Sequence, residues 1–459
     1  MNTRLLAPLL LVAACGRPPD LALAIRLPDD RRLLAAVAKI NMTATRDGVV
    51  LASSSNSASA STVSLSGVSP GARTVISLDG VDATGILIAR GKTCPVAFGA
   101  SGTTAPLYFA PTNFFAPTAA MPTTTRSGAV ALALDDGTVL VAGGADDAGL
   151  ALATTDLFTP GSAVFAASSP ALNHARAGAQ AVALSAVGVL VVGGVDTSNV
   201  VVADAELYSE TQRAFLPISD PRLDGRVGHR LVALPDGSAL VSGGSGGDAA
   251  PAPLAGTLIL EVRSDGTARV SQGPTMIDAR REHAATVAIG ILMVFGGYGA
   301  NGEPLDSIEA VDPAGSAARA GRLQYARAEA TASLLPDGSI LIVGGVGTDR
   351  LPLENAELYN PITRSTTIYP MAANRRGHTA TVLTDGRVLV AGGITADKKT
   401  GTSAKTTSVE LFGGSSVGFL TERSLGTARA GHAAVSLCDE TVLVVGGNAG
   451  AEIYSQPAN

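Results

Sequence analysis

Tryptophan is absent from this sequence, so its large aromatic core positions fall to ten phenylalanines and seven tyrosines. Charge is sparse, with 16% of residues Asp, Glu, Lys or Arg. Only five residues are lysine, and the formal net charge is −6. That excludes the clustered basic footprint of a nucleic-acid-binding protein. No internal apolar run reaches the roughly eighteen residues a transmembrane helix needs. The five histidines form no metal-spaced pair, and no G-x-S-x-G nucleophile elbow occurs. What is plentiful is turn-forming residue: 53 glycines and 25 prolines, in a chain that is 46% hydrophobic. Short strands and tight turns follow from that balance.

Three cysteines remain to be placed, and the first lies at the N-terminus. Arg4 precedes an apolar stretch, Leu5 to Ala13, which is too short to span a bilayer. This is the pattern of a secretory signal over residues 1–14. The junction Val12-Ala13-Ala14-Cys15 resembles a bacterial lipobox. By that resemblance Cys15 is lipidated and becomes the new N-terminus, anchoring the protein to a membrane through acyl chains alone. Gly16 follows, not the aspartate associated with inner-membrane retention, so the expected address is the outer membrane or cell surface.

Seven apolar strands end in paired glycines: Gly143 and Gly144, Gly193 and Gly194, Gly243 and Gly244, Gly296 and Gly297, Gly344 and Gly345, Gly392 and Gly393, Gly446 and Gly447. Each pair follows an arginine by 16 or 17 residues: Arg126, Arg176, Arg226, Arg280, Arg327, Arg375 and Arg429. Between arginine and glycines lies a first strand, then usually an Asp-Gly turn, as in "LPDGSIL"; Asp-Gly between apolar runs is a strong hairpin signal. A third strand follows with an acid beside an apolar or aromatic residue. The acids are Asp156, Glu206, Glu261, Glu309, Glu357, Glu410 and Glu452. Each arginine is expected to pair with its acid as a buried packing element; the alternative is an arginine-lined anion channel.

Four strands and about fifty residues per unit, seven times over, make a β-propeller pattern. The units resemble the kelch repeat, on the double glycine after the second strand and the third-strand aromatics Phe158, Tyr208, Tyr359, Phe412 and Tyr454. That family's fourth-strand tryptophan is missing; Phe165, Phe215 and Phe419 stand in its place. The expected fold is all-β: a seven-bladed kelch-type propeller over 109–459. The last unit lacks a fourth strand, and residues 113–121 near the front of the propeller are expected to supply it. Residues 15–108 show alternating apolar runs and turn signals, predicting a small β-sandwich that resembles Ig-like or transthyretin-like modules. Ser53 to Ser61 reads there as a linker-like loop.

Export puts Cys94 and Cys438 in a disulfide-permissive compartment. Cys438 lies in the first-to-second-strand turn of the last unit, at the end where the front domain enters. A bridge between the two is topologically allowed; two separate thiols are the alternative.

A kelch propeller behind a β-sandwich is similar to galactose oxidase, whose family implies a copper site of two tyrosines and two histidines. Here His229, His283, His378 and His432 all fall three residues after a repeat arginine, which argues for a structural role. His174 stands apart without an evident partner. No catalytic residue, metal or cofactor is assigned. The expected function is non-catalytic: binding of a surface protein or glycan through propeller loops. The longer second-to-third-strand loop of unit six offers Lys398, Lys399 and Lys405 as contacts. A carbohydrate-active or oxidase-like enzyme is the alternative.

Overall fold

The computed structural model describes residues 10–13, 21–59, 64–66, 68, 71–98, 103–118, 120–166, 170–246, 252–447 and 449–457. It is all-β. The one helical segment among these residues is a 3-10 turn, Arg31–Leu34, begun by Asp30 accepting the backbone N–H of Arg32.

Two sheets at the front enclose a shared core. One runs Ser64–Ser66, Leu10–Ala13, Leu21–Arg26, Thr103–Tyr108, with its outer two pairings parallel. The other runs Ala110–Pro111, Leu87–Lys92, Gly71–Val81, Lys39–Arg46, Val49–Ser57, with Val96–Phe98 also on Gly71–Val81. Alternation along Lys39–Arg46 turns Ile40, Met42 and Ala44 inward, against Leu23 and Leu107 of the opposite sheet. One expectation is corrected. Ser53 to Ser57, read as linker, belongs to the strand Val49–Ser57, because Lys39–Arg46 supplies its backbone partners. Leu10–Ala13 pairs with Leu21–Arg26. Ala110–Pro111 pairs with Leu87–Lys92.

Beyond it, among the described residues, lie seven four-stranded antiparallel sheets, an arrangement consistent with a propeller. In unit one the strands are Val130–Ala133, Val139–Ala142, Thr155–Thr159 and Val164–Phe165. The Asp-Gly turns form as their chemistry dictates. Asp136 accepts the N–H and hydroxyl of Thr138, and Gly137 adopts φ 84. The same carboxylate device recurs at Asp236, Asp337 and Asp439. Each second strand, flanked on both faces, is buried along its length, as in Val139–Ala142 and Ile340–Val343, apart from half-buried Ile291 at the start of the one in unit four. Third- and fourth-strand aromatics meet in register: Phe158 with Phe165, Tyr208 with Phe215, Phe412 with Phe419.

Adjacent sheets share one apolar cluster each. Leu190 and Leu207 of unit two, for example, pack with Val241 and Leu258 of unit three. The series closes: Val445 and Ile453 of unit seven pack with Val141 and Phe158 of unit one. The outer strand of unit seven is Phe114–Pro117, paired antiparallel with Ala451–Ser455. Phe115 stacks on Tyr454 at 4.7 Å between ring centroids. The pairing covers the outer edge of Ala451–Ser455, and apolar packing joins the first and last sheets.

Cys94 and Cys438 are disulfide-bonded across 344 residues. Beside them Lys92 pairs with Glu440 at 2.5 Å, and Asp439 accepts the N–H of Gly161 in unit one. Three contacts therefore tie the front unit and the turns of units seven and one together.

Candidate functional site

The repeat residues form a lattice that explains why arginine and glycine recur together. All seven arginines are buried. Each donates through Nη1 to the carbonyl of its own unit's first glycine, at 2.6–3.1 Å. Each arginine carbonyl in turn presses on the first glycine of the preceding unit. A Cβ there would lie 2.1–2.7 Å from that oxygen, which no side chain tolerates. In units one to six the second glycine then donates its N–H to the same carbonyl at 2.8–2.9 Å. Gly446 meets Arg126 in the same way, so the lattice runs round to unit one.

The acids neutralise the arginines in six units. Arg126 to Asp156, Arg176 to Glu206, Arg327 to Glu357 and Arg375 to Glu410 lie at 2.6–3.0 Å. Arg280 pairs with Glu309 and Arg429 with Glu452. The carboxylates also accept backbone N–H groups from just before the arginine; Glu357 takes those of Gln324 and Tyr325. Burial lowers the pKa of Arg280 and Arg327, opposed by their glutamates. Unit three departs from expectation. There Leu258 stands opposite Val241, where Asp156 stands opposite Val141 in unit one. Glu261 lies three residues further on, exposed, against Arg269. Arg226 is paired instead with Asp224.

The four repeat histidines are buried between adjacent units. The ring of His283 bonds to Ser242, that of His378 to Thr331 and that of His432 to Thr379, each a hydroxyl of the preceding unit. His174 does have a partner: its Nδ1 lies 2.8 Å from Asp204. With Glu206 these form the one group of three His, Cys, Asp or Glu side chains, among the described residues, whose ligand atoms lie close together. Glu206 is poorly placed for a cation. Its Oε2 already accepts both nitrogens of Asn173, its Oε1 accepts Arg176, and Arg176 also bonds Asp204.

The lysine contacts are partly committed within the chain. The unit-six loop folds into a hairpin, Ile394–Ala396 against Ser403–Lys405. Lys398 pairs with Glu354, and Lys405 donates to the Gly447 carbonyl. Lys399 is exposed. Cys15 lies outside the described residues.

A feature that sequence reasoning missed sits two residues after each arginine. Residues 128, 178, 228, 282, 329, 377 and 431 all have φ between 51 and 69. They form a ring where the second-to-third-strand loops emerge. Gly128 donates to Gly431, Gly431 to Gly377, Glu282 to Gly228 and Glu329 to Glu282, all at 2.7–2.9 Å. Five are glycine, the residue suited to left-handed backbone; Glu282 and Glu329 are not. Around these two glutamates the mouth is charged. Glu329 accepts the Tyr298 hydroxyl and pairs with Arg376, both at 3.0 Å. Arg281 stacks over the Tyr298 ring at 5.1 Å, and Arg350 lies 5.9 Å from the same ring. Aligning the units would have revealed it: "RREH" and "RAEA" carry glutamate where the other units carry glycine. No protein-family model matches this chain, and neither does any curated protein.

Proposed function

We propose that the seven sheets are the blades of a kelch-type β-propeller, preceded by an Ig-like β-sandwich and exported as a lipoprotein anchored through Cys15. In this reading the protein stands at the outer membrane or cell surface. It acts there as a non-catalytic scaffold that binds a surface protein or polysaccharide. One observation carries it. The repeated arginines, acids and glycines are satisfied by one another, within a unit or across to the next. Recognition then falls to positions where the units differ, and these gather at one mouth of the ring, around Arg281, Glu282, Tyr298, Glu329 and Arg376. A rigid scaffold with divergent residues at one end suits a binding surface.

The test uses the soluble form lacking residues 1–15, assayed for saturable binding to purified glycans and surface proteins, with metal content and peroxide production measured in parallel. Saturable binding with no turnover is the expected result. Stoichiometric copper with peroxide production from sugar alcohols would replace this reading with an oxidase.

A further inference from the structure

We infer that the charged half of this mouth binds a carboxylate-bearing sugar residue, with Arg281 supplying the counter-charge and Glu282 and Glu329 accepting hydroxyls. The inference rests on the scaffold reading and names the ligand class for it.

The charges at the mouth do not cancel. Arg376 is paired with Glu329 at 3.0 Å and Arg350 with Glu303 at 2.6 Å. Arg230 reaches Glu282 only at 3.9 Å. Arg281 has no carboxylate partner among the described residues; the Tyr298 ring is what its guanidinium touches. Tyr298 and Arg281 face each other as an isolated bridge, and the tyrosine hydroxyl is tied to Glu329, so the guanidinium rests on a fixed platform. One uncompensated, partly buried arginine calls for one anion. A carboxylate suits its planar fork.

The two glutamates point to hydroxyls beside that carboxylate. Their backbone occupies a conformation that five units reserve for glycine, so an acid is held at this place against local preference. Carboxylate acceptors, one of them held by Tyr298 and Arg376, next to a fixed donor match a sugar that carries vicinal hydroxyls and one acid group. A peptide fits less well. The backbone N–H groups of 128, 282, 329 and 431 already donate to neighbouring ring carbonyls and offer no free edge to a strand. The opposite half of the ring presents the small residues Ser127, Gly128, Ala177, Gly178 and Gly431.

The test is calorimetric titration of the soluble protein with an oligo-galacturonate, its methyl ester and oligo-glutamate. Arg281→Met, Arg281→Lys and Glu282→Gly variants are titrated alongside, with thermal melts confirming their fold. The oligo-uronate should bind, and its ester should bind at least about tenfold more weakly. Arg281→Met should weaken uronate binding roughly tenfold to a hundredfold, the loss expected for a charged hydrogen bond. Arg281→Lys should recover part of that, and Glu282→Gly should weaken binding without lowering the melting temperature. Uronate binding that ignores Arg281→Met overturns the inference and leaves the scaffold reading intact. So does oligo-glutamate binding as tightly with the same Arg281 dependence. No uronate binding, alongside saturable binding of another glycan or protein, also overturns it alone. If no glycan or protein binds, both readings fall.

Discussion

Arg327 shows how one residue type holds the ring together. Its guanidinium reaches two carbonyls, Gly344 and Asn355, and the Glu357 carboxylate, all without exposure to solvent. Removing it strands a buried carboxylate, which costs more than the intact pair contributes. Arg327→Met should therefore destabilise by about 3–5 kcal/mol, and adding Glu357→Gln, which removes the stranded charge but keeps an acceptor for the Gln324 and Tyr325 N–H groups, should restore part of the loss. Unit three provides the control. Asp224 has 47% of its side chain exposed, so it returns to water when Arg226 is removed. Arg226→Met should be the milder change by about 2 kcal/mol, since only the carbonyl bonds are lost at full cost. Denaturant midpoints of the three variants decide this; equal losses at Arg226 and Arg327 would show that the carbonyl bonds, not the ion pair, carry the energy.

Strands, turns and paired glycines were legible before any coordinates, because each has a local cause. Alternation, Asp-Gly turns and a glycine pair under a neighbouring carbonyl all leave marks within a few residues. What stayed hidden depends on residues distant in sequence or on backbone angle. Glu261 looked like the repeat acid, yet strand register puts Leu258 there. His174 looked solitary because Asp204 lies thirty positions on. Glu282 and Glu329 look ordinary until their φ is known. The disulfide belongs to this scale too, since it ties the front unit to the last sheet. Closing a loop of 344 residues should stabilise by about 6 kcal/mol on chain-entropy grounds. Cys94→Ser with Cys438→Ser should split a single calorimetric transition into two, the front unit melting first. One unchanged transition would mean that the strand Phe114–Pro117 and the Lys92–Glu440 pair suffice to couple the two parts.

Across the whole ring, four histidines set a limit on acid tolerance. Burial pushes His229 and His432 down to about 3 and holds His283 and His378 well below the ordinary value, with nearby arginines adding to the shift. These side chains stay neutral in the fold but take up protons in the unfolded chain below about pH 6.5. The unfolded state then binds more protons, so stability falls as pH drops from about 6.5 toward 3, by up to about 1.4 kcal/mol per pH unit for each histidine. Asp278, held at about 2 chiefly by Arg319, adds a similar loss below about pH 4. Asp439, Glu422 and Glu210 oppose the trend, since burial raises their pKa and favours the fold when they are protonated. Four histidines in one window outweigh them between pH 6.5 and 5, where few carboxylates titrate. The melting temperature should therefore drop steeply across that interval. Replacing all four histidines by alanine, which units one, two and five carry at the same position as Ala129, Ala179 and Ala330, should flatten the slope whatever it does to stability at neutral pH. A slope unchanged by the fourfold substitution would place the acid limit in the carboxylates instead.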